Sequence, residues 1–240
     1  MSERFLGGRI VVRQPEAGFR AGLDAVMLAA AIPAEAGEAV LELGAGAGTA
    51  SLCLAARIDC PITGLEIDPV LASLANENAA ANGFHGRVHF IAGDAFDPPA
   101  ELRRDFAHVF CNPPFHDVTG IASPDPARAR ALMDERRLAD WLAAGLKRTQ
   151  SGGTYTCIIR ADRMGEALAA LPPNGMQMLP LWPRQGQGAK RIIIQVRKGS
   201  GAAFSLLPGL VLHQADGAYT PAADSILRHG AALALDSPRL

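Results

Sequence analysis

The sequence lacks any long apolar run: its longest uncharged apolar stretch, Ala25 to Ala34, holds ten residues, where a membrane-spanning helix needs about 20. Met1 to Gly8 lacks the basic-then-apolar pattern of an export signal, so the chain is expected in the cytoplasm. Cysteine is scarce. Cys53, Cys60, Cys111 and Cys157 form no CxxC pair and no histidines cluster near them, which argues against a disulfide framework and against a metal site and for buried thiols. An excess of one charge is missing too: 23 basic against 24 acidic residues give a net charge of −1. That excludes a uniformly basic nucleic-acid binder and leaves room only for a local basic patch. The chain also lacks internal repeats and low-complexity tracts, and with 49% hydrophobic and 20% charged residues it reads as globular rather than disordered, collagenous or coiled-coil.

What is present is an alternation of short apolar strands and longer amphipathic segments. Residues 7–13 alternate as a strand and Leu23 to Ile32 as a helix closed by Pro33. From residue 40 the order is strand 40–45, helix 49–58, strand 62–67, helix 69–82, and strands 88–93 and 106–111. A helix over 138–148, a turn at 151–153, a strand over 154–160 and a helix over 162–171 follow. The Pro172-Pro173-Asn174-Gly175 turn precedes two strands, 177–182 and 191–196, with no helix-length segment between them. The pattern predicts an α/β fold: a seven-stranded Rossmann-like sheet, mostly parallel, with helices on both faces and an antiparallel C-terminal hairpin at its edge. The chain is expected to be one domain, 1–240, with a preface (1–36), a catalytic core (37–200) and a tail (201–240) of irregular chain and a helix over 222–227.

Three successive strand ends carry the residues of a ligand site. The segment LELGAGAG runs from strand into Gly44, Gly46 and Gly48; glycines there let a nucleotide-like ligand rest on bare backbone at the carboxyl edge of the sheet. Thr49 stands where a dinucleotide fingerprint would have its third glycine. Glu42, just before the glycines, would repel a pyrophosphate and attract a cationic amino group, as S-adenosylmethionine carries. Glu66, at the next strand end, is placed to accept from both ribose hydroxyls, and Asp94, at the third, from an adenine amino group. Their neighbours Ile67 and Ala95, and Asn112 at the fourth strand end, are counted in the same cofactor-binding set. Asp68, before Pro69, reads instead as a helix N-cap.

The fourth strand ends in Asn112-Pro113-Pro114-Phe115. Two prolines remove N–H donors, leaving the Asn112 side chain and the Pro113 carbonyl as acceptors for the hydrogens of a planar NH₂ group. Phe115 offers a face for a flipped base or an amide. His116 reads as a loop residue rather than a base.

Residues 40–115 resemble the class I S-adenosylmethionine-dependent methyltransferases of the amino-methylating NPP[FY] group. The segments 18–32 and 210–230 resemble those of the bacterial tRNA(Val) adenine-N6 methyltransferase family. That resemblance implies methyl transfer to adenine N6 in tRNA, and it implies a cofactor cap over Phe19 to Ala25 that brings Arg20 and Asp24 close to the cofactor. Two basic groups are candidates for an RNA path: Arg184, Lys190 and Arg191, with Arg197 and Lys198 beyond, and Arg128, Arg130, Arg136 and Arg137. Two other substrates fit the same loop: a glutamine amide of a protein and a small molecule methylated on O or N.

Overall fold

The structure, a computed structural model, describes residues 2–16, 20–114 and 137–235. The chain opens with β1 (Ser2–Phe5) and β2 (Ile10–Arg13), an antiparallel pair in a two-stranded sheet of its own. The strand expected over 7–13 is therefore shorter, because Leu6–Gly8 form a 3-10 turn in which Leu6 and Gly7 take φ values of 51° and 66°. α1 (Leu23–Ala31) follows, buried from Ala25 to Ala31. It stops before Ile32, which is extended as a residue preceding proline must be.

The main sheet begins with β3 (Val40–Leu43), β4 (Ile62–Glu66), β5 (Val88–Ala92), β6 (Phe106–Cys111) and β7 (Thr149–Arg160), all parallel where they pair. β8 (Met176–Arg184) and β9 (Arg191–Arg197) are the expected antiparallel hairpin, and β9 inserts between β7 and β8. The order is β5-β4-β3-β6-β7-β9-β8. The chain thus reverses on either side of β3, where open α/β sheets leave a ligand crevice. The sheet then extends to nine strands: β10 (Ser205–Leu206) and β11 (Leu210–His213) both lie parallel along the outer edge of β8. These replace most of the irregular tail expected from the sequence. Strands of two and four residues are too short to show a period, and the open edge of β8 is what pairs them.

β7 also starts earlier than the sequence suggests. The expected Ser151-Gly152-Gly153 turn lies inside the strand as an irregularity, and a Cβ on Gly153 would fall 2.3 Å from the Ala107 carbonyl oxygen.

Alternate residues of each central strand serve opposite faces. Val40, Phe110, Ile158 and Ile193 pack with α1, α2 (Thr49–Ala55) and α3 (Pro69–Ala81). Leu41, Leu43, Val109, Cys111 and Ile192 pack with α4 (Leu138–Arg148) and α5 (Met164–Ala170). This period of two is what places helices on both faces. The segment expected as one helix over 162–171 divides into a 3-10 turn, Ala161–Arg163, and α5. α6 (Pro221–His229), capped by the Thr220 hydroxyl, belongs to the same core cluster as α1 through Ala223 and Ile226. All four cysteines are buried thiols. Among the described residues no helix is long and apolar enough to cross a membrane.

Candidate active site

Parallel pairing of β3 with β4 and β6, and of β4 with β5, sets the ends of four strands side by side. Leu43 is the register partner of both Leu65 and Cys111, and Glu66 that of Ala92. The residues that follow or end these strands, Gly44, Glu66, Asp94 and Asn112, therefore share one sheet edge.

After Leu43 the chain turns through Gly44, Gly46 and Gly48 with φ of 71°, 55° and 85°. Gly44 and Ala45 donate to the Leu65 carbonyl at 2.8 and 3.1 Å, which ties the loop to β4. Glycine is required at 48 on two counts: the positive φ, and a Cβ there would lie 2.6 Å from Phe90 Cζ and 3.2 Å from Ala75 Cβ. Glu66 reaches back under the loop. Its Oε2 accepts the Gly46 N–H at 2.7 Å and its Oε1 the Asp68 N–H at 3.0 Å. Burial raises its pKa, offset in part by those two hydrogen bonds. Backbone N–H groups thus hold both oxygens of the carboxylate in place, and each oxygen keeps acceptor capacity.

Glu42 has a different position from the one its charge suggests. It is buried on the α2 side of β3, where Oε2 accepts the Ser51 N–H at 3.2 Å and the Ser51 hydroxyl. Burial, which outweighs these bonds, pushes its pKa up to about 8. Its carboxylate fastens β3 to α2 through Ser51, and burial favours its neutral form.

Asp94 Oδ1 accepts the Phe96 N–H at 2.8 Å, shaping the turn that also buries Ala95. Ile67 is 65% exposed and Val70 73%, so the chain past Glu66 presents an apolar surface at this edge. Asp68 caps α3 by accepting the Val70 N–H at 2.8 Å, with Pro69 at the first helical position, as the sequence indicates.

Asn112 follows β6, and its side-chain oxygen is buried without a hydrogen-bond partner. Two further buried side-chain polar atoms share that condition among the described residues: Thr49 Oγ1 and Trp141 Nε1. Thr49 is the residue after Gly48, and the Trp141 ring lies against Gly44. All three therefore border the glycine loop. Native interiors rarely leave such atoms unpaired, and these three gather at one loop. Pro113 and Pro114 continue the loop; Phe115, His116, Arg128, Arg130 and Arg136 lie outside the described residues, as does Phe19.

The preface and the hairpin meet this edge differently from the expectation. Asp24 Oδ2 accepts from Arg191 Nε at 2.7 Å, a half-buried pair joining the start of α1 to the start of β9. Arg20 pairs with Glu3. The carboxylate assigned to the cofactor cap and an arginine assigned to RNA thus neutralise each other. Arg184 and Lys190 are exposed, at the end of β8 and just before β9, on the carboxyl edge of the sheet. Arg137 lies at the head of α4 and pairs with Asp140. Buried polar ties invisible as motifs hold the preface in place. Gln14 exchanges hydrogen bonds with the Ala21 backbone at 2.7 and 2.9 Å, and Asn78 bridges the Arg13 backbone to the Ala47 carbonyl inside the glycine loop. Neither residue belongs to a recognisable pattern: Gln14 follows β2 and Asn78 lies on α3, and a lone polar side chain signals its partners only once its segment is docked.

Comparison with known proteins bears on the fold and the family. The methyltransferase small domain family model matches residues 20–127. The tRNA1(Val) (adenine(37)-N6)-methyltransferase of Shewanella amazonensis is 30% identical over 215 residues, covering 88% of this chain and 91% of its own. The protein of the same name from Aeromonas hydrophila is 30% identical over 84% of this chain and 85% of its own. The crystal structure of a predicted O-methyltransferase from Agrobacterium tumefaciens superposes with a TM-score of 0.73 at 26% identity, covering 89% of this chain and all of that one. With this fold, this loop and a relative of that identity along most of its length, the chain belongs to the tRNA1(Val) (adenine(37)-N6)-methyltransferase family of class I S-adenosylmethionine-dependent methyltransferases.

Proposed function

We propose that the protein transfers a methyl group from S-adenosylmethionine to N6 of an adenine in tRNA. The observation that carries this is the unpartnered, buried Asn112 oxygen beside the glycine loop, since a buried acceptor without a donor is costly unless a ligand supplies one. Bound there, the cofactor supplies an activated methyl group on a sulfonium. The remaining work falls to the chain. Gly44, Gly46 and Gly48 give backbone against which the cofactor lies; Glu66 accepts from the ribose hydroxyls; Asp94 accepts from the adenine amino group, with Ile67 and Ala95 as apolar contacts. Asn112 Oδ1 and the Pro113 carbonyl each take one hydrogen of the target amine, which directs the nitrogen lone pair at the methyl group. No strong base would be required: methyl transfer would exchange the S–CH₃ bond for N–CH₃ and leave a cationic nitrogen, whose proton is then acidic enough to pass to water. Pro114 stiffens the loop and Phe115 stacks on the delivered base.

Glu42 serves this reading as the prop of the loop, and Arg20 and Asp24 serve it by anchoring the preface. The tRNA partner is supported by the names of the relatives and by exposed Arg184 and Lys190 on the same edge. Such a substrate places the enzyme in the cytoplasm. One methyltransferase domain over 1–240 is supported by a core cluster running from Phe5 to Leu235.

The test is to incubate tRNA lacking the modification with the enzyme and labelled cofactor, then digest it and identify nucleosides by mass spectrometry. Label in N6-methyladenosine is expected. Label absent from tRNA but present in a protein glutamine amide or a small molecule would overturn the substrate.

A further inference from the structure

Trp141 is at the fourth position of α4, on the helix face that also buries Leu138, Leu142 and Gly145. Its six-membered ring closes over the glycine loop: Cη2 and Cζ3 lie 3.1 and 3.3 Å from where a Cβ on Gly44 would stand. The same ring system meets Phe96 edge to face, with centroids 5.1 Å apart and an interplanar angle of 77°. Phe96 is itself held by Asp94 through its N–H. The indole therefore spans the first strand end of the site and the third, and apolar contacts account for its ring.

They do not account for its nitrogen. Trp141 is 8% exposed, and Nε1 is buried with no acceptor. The other tryptophan of the chain shows the ordinary arrangement: Trp182 Nε1 donates to the Pro208 carbonyl at 3.1 Å. A buried indole N–H normally finds such a partner, and a phenylalanine or leucine would fill the same space without an unpaired donor. Trp141 shares its condition with Thr49 Oγ1 and Asn112 Oδ1, which border the same loop. Their capacities differ: an indole can only donate, whereas the asparagine oxygen can only accept. Asn112 is left to the target amine, so the Trp141 donor calls for a neighbouring ligand that offers a lone pair.

We infer that Trp141 is a cofactor-contacting residue whose Nε1–H donates a hydrogen bond to an oxygen or nitrogen lone pair of the bound adenosyl cofactor. This rests on the cofactor reading above and assigns a residue to it that no strand-end motif contains. The contact positions and selects; it moves no proton.

Two variants separate the donor from the ring. Trp141→Phe keeps most of the packing and loses the N–H, and replacing Trp141 by benzothienylalanine keeps the bicyclic shape with sulfur in place of nitrogen. Calorimetry with S-adenosylhomocysteine should show both binding about tenfold or more weakly than wild type, since the acceptor is left unpaired in the complex. Thermal unfolding without ligand should be unchanged for the benzothienyl variant, because the bond does not exist before the ligand arrives. A third readout uses Trp182→Phe, which leaves Trp141 as the sole tryptophan; its emission should shift saturably as S-adenosylhomocysteine is added. Wild-type affinity in the benzothienyl variant, or loss of affinity only in parallel with loss of unliganded stability, would overturn the inference. Failure of wild type itself to bind S-adenosylhomocysteine would instead overturn the cofactor reading on which it rests.

Discussion

Replacing Glu42 by glutamine isolates the cost of placing an ionisable group beneath the glycine loop. The carboxyl is buried, its Oε2 accepts from the Ser51 hydroxyl and N–H, and burial is the largest cause of a pKa raised from 4.5 to about 8. A carboxyl with a folded pKa above its unfolded value holds its proton more tightly in the folded state. Stability is therefore fully present below 4.5 and is lost as pH rises toward 8. Each pH unit inside that window removes up to about 1.4 kcal/mol, so the change from pH 5 to 8 is about 3 kcal/mol. Glutamine copies the neutral form, keeps an acceptor for Ser51 and cannot ionise. Urea unfolding of both proteins at pH 5, 6, 7 and 8 gives the measurement, and Glu66, whose pKa is also raised, is present in both and largely cancels. The stability of wild type relative to Glu42→Gln should fall by about 3 kcal/mol across the series. A difference that does not vary with pH would refute the reasoning, because it would mean that Glu42 is ionised, or that water reaches it, at neutral pH.

The remaining expectations concern binding, chemistry and the loop itself. Glu66→Ala should weaken S-adenosylmethionine about tenfold or more in calorimetry, as each ribose hydroxyl loses its acceptor; unchanged affinity would remove Glu66 from the site. Asn112→Ala should bind cofactor nearly as wild type does and turn over about a hundredfold more slowly, the usual loss for one positioned polar group. The pair Arg184→Glu and Lys190→Glu should weaken tRNA and flatten its salt dependence by roughly one slope unit per lost phosphate contact, with cofactor affinity unchanged. Arg191 is left out, since reversing it would set a second carboxylate against Asp24. Gly48→Ala should cost about 2–4 kcal/mol in denaturant unfolding, from its positive φ and the clash with Phe90.

The strand ends were legible because their signals are local. An apolar run into glycines, a carboxylate closing the next run and two prolines after an asparagine each lie within eight residues, and the alternation of strand and helix then aligns their ends on one edge. Glu42 shows the limit of that logic: its charge reads the same in sequence whether it faces a ligand or a helix, and only the docking of α2 put Ser51 against it. Asp24 and Arg191 are 167 residues apart, so no window of sequence could pair them, and each was read alone.

By itself, then, the sequence determined the seven central strands, the shared edge at which their marked residues end, and the family, because periodicity and turn residues act over a few neighbours. The tertiary structure alone decided which charges neutralise one another, that β10 and β11 extend the sheet to nine strands, that Glu42 is buried against Ser51 with its pKa raised, and that an indole of α4 closes over Gly44 with its N–H unspent. Those outcomes depend on burial and on contacts between distant segments, and neither exists until the chain has folded.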